Sequence, residues 1–325
     1  MLQLATLRER TDFVLQRLAV KNIDAKPVVD RVLSIDEDRR KVQMELDQLL
    51  NQQNTIAKQV GELYKSGKKA EGDELKNKST ALKQTVAELS DRLTSLEEEL
   101  NQELVKLPNM PSERVPKGKT PEDNEVVHQE GALPSLDASA KPHWEIAAQY
   151  DIIDFELGVK LTGAGFPVYK GKGAKLQRAL ISFFLDEASA AGYEEYQAPL
   201  MVNEASGIGT GQLPDKEGQM YHDATDNLFL IPTAEVPLTN IFRDELIQHP
   251  DFSFKLCGYT PCFRREAGSY GKDVRGLNRL HQFDKVEIVR VEHPDHTARA
   301  LEEMVEHVKG LLDKLELPYR VLRLC

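Results

Sequence analysis

A seven-residue repeat of aliphatic side chains constrains the fold of this chain more than any other feature. The repeat runs through residues 35–63 and returns through residues 75–107. Side chains seven residues apart lie on one face of a helix, so each run predicts a long helix with an apolar seam. Two glycines break the repeat within 66–72. The helices are therefore expected to fold back as an antiparallel hairpin that projects roughly 60 Å.

Two polar residues, Arg39 and Gln53, stand in the first seam where apolar residues are expected. Polar groups at such positions can fix the register of paired helices at a cost in stability. Ahead of the hairpin, aliphatic residues spaced through 4–18 predict a short amphipathic helix that packs back on the body of the protein.

Prolines concentrate between residues 108 and 124, together with a glycine and many polar side chains. This composition is typical of a linker. The chain thus divides into an N-terminal region at 1–107, whose arm spans about 27–107, a linker at 108–124 and a second region at 125–325. Short strands and helices alternate in the second region. Their order predicts an α+β fold, an antiparallel β-sheet flanked by helices.

Composition limits the function classes that fit this chain. It has 325 residues, of which 29% are charged, no apolar run long enough to cross a bilayer and no secretory start, so a cytoplasmic protein without a membrane partner is expected. Its three cysteines, Cys257, Cys262 and Cys325, fit no four-ligand zinc spacing, and no metal site is predicted within the chain. The net charge of -11 weakens a nucleic-acid role without deciding it, since a local basic strip can bind RNA on an acidic protein.

A predicted β-hairpin, with strands at 262–266 and 281–289, carries the residues with the most specific chemistry. The polar residues expected to share a face are Arg264 with Glu266, and Phe283 with Lys285 and Glu287. The alternate face of the second strand is aliphatic and is expected to face the core. A guanidinium suits a phosphate or a carboxylate, an aromatic ring suits a flat base, and a carboxylate suits an ammonium. Together they describe an amino acid beside a nucleotide; the alternative is an ordinary amphipathic hairpin with a solvated charged face.

The loop between these strands, residues 267–280, is longer than an ordinary hairpin loop. It contains several glycines and the basic residues Lys272, Arg275 and Arg279. Glycines supply backbone freedom, and the positive charges suit phosphates or the end of a nucleic acid. The loop therefore favours a ligand-binding hairpin over a structural one.

These segments resemble motif 2 of class II aminoacyl-tRNA synthetases, in the form found in bacterial seryl-tRNA synthetases. The matching residues are the run Phe263-Arg264-Arg265-Glu266, the loop through Arg275-Gly276-Leu277 and the return His281-Gln282-Phe283. Upstream, Thr233-Ala234-Glu235 resembles the serine-binding triplet of that family, and Gly192-Tyr193 with Pro199 resembles motif 1. Three elements in the family's order make the match specific.

The resemblance implies the antiparallel catalytic sheet of class II enzymes, and the sequence has no Gly-x-x-x-x-Gly-Lys loop for ATP. It implies that L-serine and ATP form seryl-adenylate, with Mg2+ on the phosphates, and that serine is then transferred to tRNA(Ser). Enzymes of this family also charge selenocysteine tRNA. The resemblance to motif 1 implies a homodimer, and a helix buried within a monomer is the alternative for that segment.

Carried over to this sequence, the resemblance implies a role for each polar residue of the hairpin. Arg264 is the expected catalytic residue, because it would bind both the α-phosphate of ATP and the serine carboxylate while the carboxylate attacks the α-phosphorus. The expected serine-binding residues are Thr233, Ala234, Glu235, Arg264 and Glu287. The expected ATP-binding residues are Arg264, Arg265, Glu266, Arg279, Phe283 and Lys285.

Individual contacts follow from the same resemblance. Glu266 would accept a hydrogen bond from the adenine amine, and Phe283 would stack on the adenine ring. Arg279 would meet the terminal phosphates, and Lys285 would help to orient Glu287. For each carboxylate the alternative is an internal salt bridge with a neighbouring basic residue.

The family's N-terminal arm reaches the long variable arm of the tRNA, which implies an RNA-binding role for basic residues along this hairpin. The expected tRNA-binding residues are Arg39, Arg40, Lys41, Lys58, Lys65, Lys68 and Lys69 on the arm, with Lys272 and Arg275 in the hairpin loop. The alternative for the arm is a solvated coiled-coil face.

The resemblance covers nearly the whole chain up to Cys325, where the family continues into magnesium-binding acidic residues, a hydroxyl-binding residue and motif 3. This chain is therefore expected to hold an incomplete class II core and to be unable to activate serine unaided. Two other interpretations stay open. One is a non-catalytic tRNA-binding or regulatory fragment of a synthetase, and the other is a coiled-coil scaffold with an incidental phosphate-binding hairpin.

Overall fold

A computed structural model describes residues 2–248, 252–266 and 275–325. The chain forms two compact units, one made of 1–129 with 320–325 and one made of 130–319. The helices are α1 (Leu4–Glu9), α2 (Thr11–Ala19), α3 (Lys26–Lys65), α4 (Lys69–Leu104), α5 (His143–Gln149), α6 (Phe155–Leu161), α7 (Lys172–Ala190), α8 (Glu204–Gly209), α9 (Glu235–Thr239) and α10 (Thr297–Lys314). The strands are β1 (Glu125–Glu130), β2 (Ile153–Asp154), β3 (Val168–Tyr169), β4 (Glu194–Glu195), β5 (Met201–Val202), β6 (His222–Asp223), β7 (Leu228–Leu230), β8 (Ser253–Phe263), β9 (Gln282–Glu292) and β10 (Tyr319–Arg323).

The predicted helical arm is confirmed. Helices α3 and α4 have 40 and 36 residues and pack through the predicted seam, where Val42, Leu46 and Leu89 form a buried cluster. The break between them is shorter than predicted, because α4 already begins at Lys69. Gly72 continues the helix under the ring of Tyr64, where an added Cβ would lie 3.3 Å from that ring. This glycine therefore serves the packing of the tip rather than the turn.

The N-terminal segment forms two short helices, α1 and α2, instead of the single predicted one. They pack against the base of the arm, where Leu7, Val14 and Leu18 share a buried cluster with residues of α3 and α4 such as Val32 and Leu104. Residues 105–120, all of them described, form loops before β1. Residues 320–325 join this first unit because β10 pairs with β1.

A buried carboxylate organises the first half of α3. Asp36 is 0% exposed, and Arg39 and Arg40 approach it at 3.1 and 3.2 Å. Arg8 of α1 lies 3.7 Å from the same carboxylate. Arg39, predicted as a register-fixing interruption of the seam, thus pairs with a buried acid on its own helix.

The second unit contains two three-stranded sheets and the small pair β2-β3. The sheets have the orders β4-β8-β9 and β5-β7-β6, and β8 and β9 pair antiparallel over 11 residues each, from Ser253 opposite Glu292 to Phe263 opposite Gln282. The predicted α+β fold with an antiparallel sheet flanked by helices is confirmed. One edge differs, since β4 is parallel to β8.

Both faces of the β8-β9 pair are covered at the end far from the connecting loop. On one face Leu256 and Val289 pack with Leu238 of α9. On the other, Cys257 packs with Ala188 of α7 and with the partly buried Ile288. Ile288 thus packs on a core as expected for its face of the second strand, and at this end of the sheet the opposite face is covered by a helix as well.

Candidate active site

The candidate site lies where β8 ends and β9 begins, beside the segment that follows β7. The backbone N–H of Phe263 donates a hydrogen bond of 2.9 Å to the carbonyl of Ile231, and Ile231 is fully buried. This contact fixes the segment 231–235 against the end of the hairpin. It brings Thr233, remote in sequence, onto the predicted polar face of β9.

Thr233, Lys285 and Glu287 form a closely bonded cluster. The hydroxyl of Thr233 donates to Glu287 Oε2 at 2.8 Å and accepts from Lys285 Nζ at 3.0 Å. Lys285 Nζ also lies 2.5 Å from Glu287 Oε2. Thr233 is 3% exposed, while the side chains of Glu287 and Lys285 are 18% and 33% exposed. Lys285 and Glu287 lie on one face of β9, as predicted, and both contact the buried hydroxyl of Thr233.

The other two residues of the predicted serine-binding triplet are placed differently. Ala234 is fully buried and packs in the core beside Leu238. Glu235 opens α9 with an exposed side chain, and its backbone N–H donates to the Thr233 hydroxyl at 3.1 Å. The structure thus brings Thr233 to Glu287, and among the described residues the Glu235 carboxylate forms no hydrogen bond with either of them.

Arg264 and Phe283 meet next to this cluster. The guanidinium carbon of Arg264 lies 5.0 Å from the centroid of the Phe283 ring, a cation–π contact. The backbone N–H of Arg264 donates to the carbonyl of His281 at 2.9 Å, which anchors the residue just past the strand. The backbone N–H of Arg265 donates to the carbonyl of Gln219 at 2.8 Å. A cation and an aromatic face therefore stand side by side, as the sequence predicted.

Glu266 and Arg279 form an ion pair across the two ends of the loop. Arg279 Nη1 donates to Glu266 Oε2 at 2.8 Å, and the side chains are 53% and 14% exposed respectively. Glu266 has a φ of 46°, and β8 ends at Phe263. The expectation that Arg264 and Glu266 share a strand face was therefore wrong, since the strict alternation stops before them.

Sequence reasoning missed the groups that hold the start of β9. The His281 ring stacks on Phe166 at 5.2 Å between centroids and shares a 2.8 Å hydrogen bond between Nδ1 and the Tyr221 hydroxyl. The backbone N–H of His281 donates to the carbonyl of Gly165 at 2.9 Å. An added Cβ at Gly165 would lie 2.4 Å from the His281 ring, so only a glycine permits this approach. The sequence carries no local signal for the approach of Gly165 to the start of β9.

Two titratable groups with raised pKa values lie on opposite faces of the hairpin, one buried and one partly buried. Cys262, paired with Phe283 in the strand register, is fully buried, and burial raises the pKa of its thiol. On the opposite face Tyr259 donates to Asp284 at 2.6 Å. Burial, reinforced by this bond, raises the pKa of Tyr259 well above its ordinary value. Both groups therefore stay protonated at neutral pH, and neither supplies a proton acceptor to the site.

The predicted tRNA-binding residues of the arm fall into two groups. Arg39 and Arg40 hold the buried Asp36, Lys41 lies 2.7 Å from Glu37, and Lys68 lies 3.3 Å from Glu71. The others are exposed and form no ion pair with any described residue; they are Lys58, Lys65 and Lys69. The second group is the one whose charge is available to a partner.

Two further lysines extend this available charge. Lys69, Lys76 and Lys83 recur every seven residues on α4, so they share one face in a row about 21 Å long. All three are exposed, and within the described chain none of them forms an ion pair. We call these three residues the α4 lysine row. The seven-residue spacing was visible in the sequence, but only the structure separates these lysines from those that pair with acids.

The remaining predicted residues lie in the hairpin loop. Lys272 lies outside the described residues. Arg275 is exposed, and just after it the backbone N–H of Leu277 donates to His143 Nε2 at 2.7 Å. Gly276 has a φ of 68°, a conformation that favours glycine.

The described residues contain neither a helix suited to span a membrane nor a metal-binding cluster. Across 2–248, 252–266 and 275–325, no helix combines the length and apolar character needed to span a bilayer. The same residues contain no group of three or more His, Cys, Asp or Glu side chains placed to bind a metal ion.

Two known protein families match successive parts of the chain. Residues 1–111 match the family described as the seryl-tRNA synthetase N-terminal domain. Residues 219–325 match the tRNA synthetase class II core domain (G, H, P, S and T).

Individual relatives cover the whole chain. The serine–tRNA ligase of Salinibacter ruber is 46% identical over 325 residues, which are 100% of this chain and 76% of the relative. The serine–tRNA ligase of Nautilia profundicola is 42% identical and is covered to 78%. Among solved structures, seryl-tRNA synthetase from Pyrococcus horikoshii, complexed with ATP, superposes with a TM-score of 0.86 at 29% identity, covering 99% of this chain and 76% of that one.

Proposed function

This chain belongs to the seryl-tRNA synthetase family of class II aminoacyl-tRNA synthetases, and from that premise we propose how its residues serve the reaction. L-serine and ATP form seryl-adenylate and pyrophosphate, and serine is then passed to tRNA(Ser). The observation that carries the proposal is the bonded cluster of Thr233, Lys285 and Glu287 directly beside the Arg264–Phe283 pair. An ammonium site thus adjoins a site for phosphate and an aromatic base.

Serine binds with its ammonium at Glu287 and Thr233 and its carboxylate at Arg264. A carboxylate at 18% exposure with a hydroxyl bonded to it is a fitting acceptor pair for an ammonium. Glu287 also accepts a hydrogen bond from the serine hydroxyl, so discrimination against alanine follows from a carboxylate oxygen that stays unpaired when the hydroxyl is missing. Ala234 supports this pocket by packing behind it, and Glu235 supports it through its backbone N–H.

ATP binds with its adenine against Phe283 and its α-phosphate at Arg264. The Phe283 ring already contacts the guanidinium of Arg264. Arg264 would therefore neutralise the α-phosphate next to the adenine stacked on Phe283. Glu266 meets the adenine amine and Arg279 the terminal phosphates, which requires their 2.8 Å ion pair to open. Arg265 and Lys285 add positive charge near the phosphates. The ATP bound by the Pyrococcus horikoshii relative supports this assignment.

Mg2+ enters with the ATP phosphates. The described residues offer no acidic group of three side chains to hold it, and Mg2+ commonly binds through substrate phosphates with few protein ligands. The residues of the site therefore do their work by positioning and by charge stabilisation.

The arm contacts the tRNA through its available lysines. We assign the larger share of this contact to the α4 lysine row with Lys58 and Lys65, because Arg39, Arg40 and Lys41 already pair with acids of α3. Lysines on a rigid helix suit recognition of the RNA backbone rather than of base edges. Lys68, Lys272 and Arg275 remain predicted contacts, and selenocysteine tRNA remains a predicted second substrate.

A homodimer in the cytoplasm completes the proposal. Large apolar side chains stay exposed on the three helices that precede the motif 1 segment in the chain; they are Ile146 on α5, Val159 and Leu161 on α6, and Leu176 on α7, at 41%, 56%, 67% and 56% exposure. Several such residues in one region of a protein are typical of an interface. A second copy of the chain is the proposed partner.

Binding of a non-hydrolysable seryl-adenylate analogue, the seryl-sulfamoyl adenosine, tests the proposal by calorimetry. We expect the analogue to bind tightly, the alanyl analogue to bind at least about 100-fold more weakly, and Arg264→Met to weaken the seryl analogue about 100-fold or more. Arg299→Met on α10, at 82% exposure, is the matched control. Equal affinity for both analogues, or an Arg264→Met variant that binds like the control, would contradict the proposal.

Serine-dependent exchange of labelled pyrophosphate into ATP tests two further expectations. The expectation that these 325 residues do not complete adenylation unaided stays a prediction, and measurable exchange by this chain would overturn it. The alternative of a non-catalytic tRNA-binding protein predicts tRNA binding with neither exchange nor analogue binding.

A further inference from the structure

Lys285 places an ammonium of the protein itself at the point where the proposed function puts the ammonium of serine. Its Nζ lies 3.0 Å from Thr233 Oγ1 and 2.5 Å from Glu287 Oε2, which are the two acceptors assigned to the substrate. The cluster therefore satisfies itself before any substrate arrives.

The Thr233 hydroxyl has no hydrogen-bonding capacity left. A hydroxyl offers one donor and two acceptor lone pairs. The donor goes to Glu287, and the lone pairs receive the backbone N–H of Glu235 and the Nζ of Lys285. The N–H of Glu235 is fixed by the start of α9, so a substrate ammonium can reach Thr233 only if Lys285 leaves.

We propose that Lys285 is a resident cation which occupies the ammonium subsite in the free protein and must be displaced for the substrate amine to bind. This inference rests on the proposed serine site. Two ammonium groups within about 4 Å of each other repel strongly where water is partly excluded. Sharing of Thr233 between Lys285 and the substrate is therefore unfavourable, and the two cations compete.

The displaced ammonium has a destination one step along the strand. Phe283 and Lys285 are two residues apart on the same face of β9, about 7 Å along the strand. Phe283 and Arg264 mark the proposed ATP site. The side chain of Lys285 is 33% exposed and flexible enough to turn toward a phosphate. ATP thus draws Lys285 from the subsite, and serine and ATP bind with positive coupling, each strengthening the other by the same factor.

Serine affinity in Lys285→Met tests the competition. The chain is titrated with L-serine and with glycerate, which keeps the hydroxyl and carboxylate but lacks the amine. We expect Lys285→Met to bind L-serine about fivefold more tightly than the unaltered chain, the range of a partly exposed ion pair, with glycerate unchanged. Lys255→Met on β8 is the matched control, because Lys255 Nζ donates its 3.1 Å hydrogen bond to the carbonyl of Ala191 and not to a residue of the site.

The coupling gives a second readout. A non-hydrolysable ATP analogue is expected to tighten L-serine binding about fivefold in the unaltered chain and to leave it unchanged in Lys285→Met. Weaker L-serine binding in Lys285→Met, with coupling retained, would overturn the inference and make Lys285 an orienting group, while the proposed function would stand. No L-serine binding by either protein, even with the ATP analogue, would overturn both.

Chemical labelling in the unaltered chain keeps the test independent of the variant's folding. Acetylation of Lys285 by acetic anhydride, read by mass spectrometry, should rise about fivefold under saturating L-serine and stay constant under glycerate, with Lys255 as the internal reference. Protection of Lys285 by L-serine would refute displacement.

Discussion

Removal of the α4 lysine row, through the variant Lys69→Gln/Lys76→Gln/Lys83→Gln, gives the sharpest test of the tRNA-binding face. Each lysine that neutralises a phosphate contributes about 0.7 to 0.9 to the slope of log affinity against log salt concentration. If all three contact the tRNA, the slope should become shallower by about 2 to 3. At about 0.15 M salt each contact is worth roughly a factor of four to five by the same relation, so affinity for tRNA(Ser) should fall about 100-fold.

The measurement is binding of labelled tRNA(Ser) at several salt concentrations, with circular dichroism to verify the helices. The matched control is Lys26→Gln/Lys78→Gln/Lys106→Gln, three exposed lysines that already pair with carboxylates at 2.8, 3.1 and 2.5 Å. We expect the control to change the slope by less than about 1. A row variant with unchanged slope, or with no larger loss than the control, would refute the assignment of this face.

Three further predictions concern the second unit. Thr233→Val removes the hydroxyl that bonds Glu287 and should weaken L-serine binding about tenfold by calorimetry; unchanged affinity would contradict the pocket. Phe283→Leu removes the aromatic face beside Arg264 and should weaken ATP binding about tenfold, with a smaller effect on serine. Arg290→Met tests pH dependence, because the hydrogen bond from Arg290 holds the pKa of Glu303 below its ordinary value. A carboxyl whose folded pKa is lowered stabilises the protein above the ordinary glutamate value of about 4.3, and this contribution is lost as pH falls through the lowered folded pKa. The variant should therefore be less stable near neutral pH and lose stability less steeply in acid; a parallel acid profile would refute this.

The arm could be predicted closely because its information is local. A repeat of seven determines the seam and the helix lengths, and Val42, Leu46 and Leu89 lie buried in that seam. The pairing of Asp36 could not be predicted, because one of its partners, Arg8, lies on a different helix. The sequence also did not show which basic residues of the arm pair with acids, since ion pairing along α3 depends on side-chain reach as well as on spacing.

The site could be predicted in part for a related reason. Alternation along β9 placed Lys285 and Glu287 on one face, and the resemblance to a known triplet brought Thr233 to them. Alternation failed for Glu266, since the strand ends before it and its φ is 46°. It also could not place Glu235, which is the exposed first residue of α9 rather than part of a strand. The family resemblance identified which residues belong to the site. Where their side chains lie depends on where each strand and helix begins and ends.

The end of the β8–β9 pair far from the loop contributes stability, and the loop end carries the candidate site. At the far end Leu256 and Val289 are buried with α9, and burial of such side chains contributes about 1.5 to 3 kcal/mol each. At the loop end the polar cluster around Lys285 is partly exposed, where an ion pair contributes at most about 1 kcal/mol. Changes at Lys285 should therefore alter ligand binding without unfolding the sheet, whereas Leu256→Ala should lower the free energy of unfolding by about 2 to 5 kcal/mol. Urea titration of both variants measures this difference, and equal midpoints would show that the sheet depends on its loop end as much as on its core.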